Sequence, residues 1–285
     1  MSSWEVSENT GRCHRQGTAV SKTKACELRA NVSNQMIATT ILLTVLLTAV
    51  ISGVLGMAGG LMLMAVLASI LPVTGAMILH GAVQATSNGA RFVFLRDRMM
   101  WSVLPWYGIG AAIAVLLFVA IAFIPDPALV LIVVGSFPWI ARLLPALRGL
   151  DVRRRPTATL CGLTVTGAQL LAGASGPLLD AFYLETKVDR RTIVATKAFT
   201  QTVGHLLKIG YYVWVSRTLL PELPDDRLSP WLIAGGMVLA VAGARIGTRL
   251  LDRFDDRQFR RVTGPVILAL GAVCVLKGVR DLLAS

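Results

Sequence analysis

Two stripes of polar side chains run through otherwise apolar stretches of this chain. His80, Gln84, Asn88 and Arg91 follow i, i+4, i+8, i+11 spacing, which sets them on one face of a helix. Lys197, Gln201, His205 and Lys208 repeat that spacing 117 residues later. Carboxamides, imidazoles and an amine on one face can donate hydrogen bonds and positive charge to an anion. They do not make a nucleophile with its base. The chain has three histidines, no H-E-x-x-H or H-x-x-H-H run, and no C-x-x-C pair among its four cysteines, so neither a metal centre nor a disulfide framework is expected. No enzymatic activity and no cofactor are expected.

A glycine cluster precedes each stripe: Gly56-Met57-Ala58-Gly59-Gly60 before the first, Gly173-Ala174-Ser175-Gly176-Pro177 before the second. A helix that restarts after such a break presents free backbone N–H groups, which bind anions with help from the helix dipole. Gly59, Gly60, Ser175 and Gly176 are the candidate donors. A plainer reading stands beside this one: glycines also permit close helix packing, and membrane Gln, Asn and His residues often only bond neighbouring helices.

The elements that must hold these groups are membrane helices. Apolar residues make up 54% of the 285 and charged residues only 15%, far from a soluble domain. The apolar runs are 36–56, 58–71, 74–95, 100–124, 127–147, 157–174, 176–184, 190–215, 230–250 and 259–283. Most can span the ~30 Å hydrocarbon core at ~1.5 Å per residue, but 58–71 and 176–184 cannot. Each of those two follows a glycine cluster, which points to a broken helix that turns back within the membrane, as is tolerated where the backbone is buried in protein or lines a cavity. With helix starts near 74 and 190, Gln84 and Gln201 lie about 15 Å deep, close to the midplane. Residues 1–35 are polar and read as a disordered tail, and Met36 is an alternative start of translation.

The 117-residue offset extends well beyond the stripes. Gly56 pairs with Gly173, Gly59 with Gly176 and Phe94 with Tyr211, and after a longer second loop Gly135 pairs with Gly271. The chain therefore divides into a first transmembrane repeat, 36–150, and a second, 151–285, as in many secondary transporters. If each glycine segment is a re-entrant hairpin, loops 91–98, 148–155, 187–191 and 249–261 share one side and hold fifteen Lys and Arg, against Arg217 and Arg227 opposite. The positive-inside rule favours that arrangement and puts both termini outside the cytoplasm. Three crossings per half make the second repeat inverted. The expected fold is an all-α polytopic membrane protein of two inverted repeats, each a broken glycine-rich re-entrant hairpin followed by three transmembrane helices.

The sign of the embedded charges narrows the cargo. Apart from Asp281 at the very end of the last run, Asp180 is the only carboxylate expected within a hairpin or crossing, whereas His80, Lys197, His205, Lys208 and Arg245 are basic. Cation pathways usually rely on intramembrane carboxylates, so an anion fits better. In this setting the net charge of +12 is a topology signal, and nucleic acid is not an expected partner.

Over residues 40–280 the chain resembles the TauE/SafE family of membrane transporters, known as sulfite exporters. The resemblance rests on Ser52-Gly53-x-x-Gly56-x-x-Gly59-Gly60, on Ala85-Thr86-Ser87, and on the cluster ending Gly176-Pro177, with Ala58 and Ser175 departing from the family's G-x-G-G-G pattern. It implies transport of sulfur-containing anions such as sulfite, thiosulfate or organosulfonates across the bacterial inner membrane. The expected function is a secondary transporter for such an anion, with Gln84 and Gln201 as donors, Asn88 and His205 completing the shell, and Lys197 and His80 supplying charge. An anion channel and a non-transporting membrane scaffold are the competing readings. The expected partners are the small anionic substrate and the lipid bilayer, and a homo-oligomer is compatible with the sequence.

Overall fold

The computed structural model describes residues 19–55, 58–143, 150–219, 228–251 and 256–284. They are helical, with no strand among them, and several helices are strongly apolar, as in a polytopic membrane protein. In chain order the helices are α1 (Ala19–Leu55), α2 (Ala58–Ile70), α3 (Val73–Leu95), α4 (Leu104–Ile121), α5 (Pro127–Leu143), α6 (Arg155–Ala172), α7 (Gly176–Ala181), α8 (Arg190–Thr218), α9 (Pro230–Leu251) and α10 (Asp256–Ala284). Asn34–Ser52, Trp101–Ile121 and Pro230–Gly247 are long and apolar enough to cross a membrane, and Gly59–Ile70 and Pro127–Ile140 form shorter apolar helices. At 23 and 29 residues, α3 and α8 also have the length for a crossing, but their polar stripes lower the mean hydropathy.

The chain forms two compact units, 1–40 and 41–285. In the first, helix begins at Ala19, within the segment the sequence marks as a polar tail. Residues 19–30 are rich in Ala, Lys, Glu, Leu and Arg, whose helix propensity is high. Residues 1–18 lie outside the described residues.

Within the second unit, α3 packs along α8, α4 along α6, and α5 along α10. The contacts fix relative direction. Gly81 of α3 faces Lys208 and Ile209 of α8, Gly89 faces Thr202, and Phe92 stacks edge-on with Phe199 at 4.9 Å. Numbers rise on one helix as they fall on the other, so α3 and α8 are antiparallel. The same holds for α5 and α10, where Gly278 meets Ala128 and Gly271 meets Gly135. A Cβ on Gly135 or Gly271 would lie 2.6 Å from the carbonyl oxygen of the other, so these backbones touch as only small residues allow.

One end of this unit gathers basic loops. The Met100 N–H donates to Thr196 Oγ1, the Val152 N–H to the Phe182 carbonyl, and Arg155 lies 5.1 Å over the Trp106 ring. At the other end Tyr211 donates its hydroxyl proton to the Phe123 carbonyl at 2.7 Å. A core of Val103, Tyr107, Val165, Leu179 and Phe182 joins α4, α6 and α7.

Candidate functional site

Gly56 and Met57 of the first glycine cluster lie outside the described residues; α2 starts after them at Ala58. Gly59 lies against α1: a Cβ there would stand 2.1 Å from the Thr48 carbonyl oxygen and 2.7 Å from Ser52 Cβ. Gly173 ends α6 with φ of 76°, a left-handed turn that glycine adopts without strain. Its N–H donates to the Gln169 carbonyl, closing the last turn. The chain then passes Ser175 and starts α7 at Gly176. The polar stripes of α3 and α8 face each other.

They enclose a narrow cavity of about 350 Å³, counting its open mouth. Its walls include Gly60, His80, Gln84, Asn88, Ser175, Gly176, Gln201 and His205, all of them expected from sequence, and also Ser52 and Arg91. Two expected residues are elsewhere. Gly59 packs into α1, as above, and Lys197 forms an ion pair with Asp180 of α7. Lys197 begins the second stripe near the N-terminus of α8, one turn short of the cavity, where a carboxylate is within reach of its long side chain.

The polar side chains have distinct partners. Gln201 is held at both ends of its amide: Oε1 accepts from Gln169 Nε2 at 2.9 Å, and Nε2 donates to Ser175 Oγ at 3.2 Å. The Gln84 amide faces Gly60, where a Cβ would sit 3.0 Å from Nε2. The backbone carbonyl of Gln84 accepts from Asn88 Nδ2 at 3.0 Å. The rings of His80 and His205 lie 5.5 Å apart, and the buried Nδ1 of His205 has no hydrogen-bond partner.

Lys208 ties α8 to α3 and to the end of α6. It is fully buried, and its Nζ donates to the Gly173 carbonyl at 2.8 Å and to His80 Nδ1 at 2.9 Å. With Nδ1 accepting, the N–H of His80 is on Nε2 and donates to the Gly60 carbonyl at 2.9 Å. A chain of hydrogen bonds thus runs from Gly60, in the first turn of α2, to Gly173 at the end of α6. His80 acts as a link in that brace, one step removed from the lone charge expected of it.

Ser52, Arg91, Gln169 and Lys208 escaped the sequence reading of the site. Lys208 belongs to the stripe but lies near a helix end, where a lysine commonly reaches for water. Gln169 stands 117 residues after Ser52, so the repeat offset marks both, although neither is on a stripe. Among the described residues there is no group of His, Cys, Asp and Glu suited to a metal ion. The arrangement offers amide, guanidinium and imidazole donors to a small ligand with acceptor oxygens. A family model described as "Sulfite exporter TauE/SafE" matches residues 41–274. No curated protein and no solved structure matches the chain.

Proposed function

The chain belongs to the sulfite exporter TauE/SafE family, and we propose that it is a secondary transporter moving a small sulfur oxyanion or organosulfonate across the bacterial inner membrane by alternating access. The observation that carries this reading is the cavity between the glycine breaks, lined by Gln84, Gln201, Asn88, His205 and Arg91 without a single carboxylate. Donors without acceptor-only neighbours favour an anion. The roughly 350 Å³ of this cavity includes its open mouth, and the enclosed space is small. That favours sulfite, thiosulfate or sulfoacetate over an aromatic sulfonate.

The duplicated, inverted architecture draws support from the helix directions. The repeat mates α3 and α8 are antiparallel, as are α5 and α10, and the matched glycines Gly135 and Gly271 touch. An inverted duplication about an axis in the membrane plane has this consequence. The hairpin reading of 157–184 is supported by the Val152–Phe182 hydrogen bond, which brings the two ends of α6 and α7 to one side. Alternating access draws support from the same geometry: the Lys208–His80 brace joins the first turn of α2 to the end of α6, so a rocking of one repeat on the other would act directly on the cavity.

The test is thermal stability of the purified protein against sulfite, thiosulfate, sulfate, sulfoacetate and an aromatic sulfonate, with chloride as control. A ligand of the folded state stabilises it by about 2.7 kcal/mol at 100-fold excess over Kd. Gln84→Ala and Gln201→Ala should each weaken binding by roughly 10- to 100-fold, the worth of a hydrogen bond to a charged group. Stabilisation by none of the sulfur anions, or equal affinity in both variants, rejects the assignment. Counter-flow in vesicles separates a carrier, which shows it, from a channel.

A further inference from the structure

A second, larger feature lies beside the cavity. Helices α3 and α9 are parallel and pack closely where Gly236 admits Val83, whose Cγ2 would stand 3.3 Å from a Cβ at that position. Toward their C-terminal ends they leave a groove of about 1070 Å³, open side included, with Phe94, Leu95 and Val241 among its walls. Arg91, Arg245 and Arg249 also line it. No ion pair joins any of the three to a carboxylate among the described residues. Val241, Arg245 and Arg249 are four residues apart and share one face of α9.

Depth identifies what such a groove suits. Arg245 and Arg249 lie in the last two turns of α9, which ends at Leu251, at the height of the basic loops, where lipid phosphates lie. Arg91 is in the last turns of α3, at the same end. Three guanidiniums around one groove repel each other unless an anion joins them, and the guanidinium fork matches phosphate oxygens. Apolar walls of this size are superfluous for a free oxyanion but suit an acyl chain. Phe94 is 73% exposed on the side where a chain would lie. Basic pockets between membrane helices on the cytoplasmic side recognise acidic headgroups for these reasons.

We propose that this groove binds one anionic phospholipid, its phosphate held by Arg91, Arg245 and Arg249 and an acyl chain laid along Phe94, Leu95 and Val241. The site adjoins the transported anion's, sharing Arg91 with it, and does not depend on that anion's identity.

The experiment is native mass spectrometry of delipidated protein titrated with phosphatidylglycerol or phosphatidylcholine. Expected are one tightly held phosphatidylglycerol per chain, at least tenfold preference over phosphatidylcholine, and at least tenfold weakening in Arg245→Gln/Arg249→Gln. The exposed Arg96→Gln/Arg98→Gln pair at the same end should leave retention unchanged. Should the first double variant fail to fold, Val241→Trp, which fills the apolar wall and keeps every charge, should also expel the lipid. Equal retention of the two lipids, or full retention in a folded groove variant, overturns the proposal. So does loss of the lipid to millimolar sulfite or inorganic phosphate, which would make the groove a site for free oxyanions. None of these readouts uses transport, so failure here leaves the transporter reading intact.

Discussion

Gly59 and Gly60 are neighbours on α2 and meet opposite constraints. A Cβ on Gly60 would approach only the far end of the Gln84 side chain, at 3.0 Å from Nε2, and that amide can shift a few tenths of an ångström. A Cβ on Gly59 would collide with the Thr48 backbone at 2.1 Å, which cannot yield without moving α1. Gly60→Ala should therefore lower anion affinity severalfold with stability nearly unchanged. Gly59→Ala should cost roughly 1–3 kcal/mol of stability, the usual range for overpacking. Thermal unfolding with and without the stabilising anion checks both. The reverse pattern would mean that Gln84 does not face the ligand. Stripe spacing revealed Gln84 and Gln201, but not the different states of their amides. Gln201 is bound by Gln169 and Ser175, residues whose proximity depends on how α6 and α7 fold back.

The short segment after α7 shows how a loop secures an element. Asp151 accepts hydrogen bonds from the Arg153 N–H and guanidinium and from Thr186 Oγ1, joining the start of α6 to the chain beyond α7. The Arg153 guanidinium holds the Asp151 carboxyl below the ordinary aspartate value of 3.8, with Thr186 assisting. A carboxyl held low in the folded state binds fewer protons there than when unfolded. Its stabilisation is thus complete above the ordinary value and is lost as the pH falls through its own lower one. Protease resistance of the 182–188 segment should decline as the pH falls from about 5 toward 3. Asp151→Asn should be more susceptible at pH 7 and change less over that interval. A wild-type response equal to the variant's would remove Asp151 from this role. The pattern Asp-x-Arg is legible in sequence as a local pair, but the reach to Thr186 is 35 residues away and is a product of folding.

For the molecule as a whole, the decisive question is sidedness. Contacts gather 96–106, 150–155 and 182–196 at one end, and these stretches carry eight of the basic loop residues. Single cysteines at Arg98, Arg153 and Arg190, in a background with Cys13 and Cys26 changed to Ser, should all react with an impermeant maleimide only from the cytoplasmic face. Cysteines at Asp126 and Arg217 should react only from the opposite face. Division of the first three between the faces would exclude the hairpin arrangement. The buried Cys161 and Cys274 should contribute little background.

Composition, apolar run length and the 117-residue offset sufficed to establish a helical membrane protein with two polar stripes behind glycine breaks, because these depend on local periodicity and the cost of exposing polar backbone to lipid. The family followed from glycine spacing that the chain still carries. Tertiary structure alone decided which donors share a cavity. Lys197, although on the stripe, turns to Asp180. Lys208, at its far end, is drawn inward to the Gly173 carbonyl and His80. A buried amine takes whichever acceptors the packing brings within reach, and that choice is made between helices, where one-dimensional spacing carries no information.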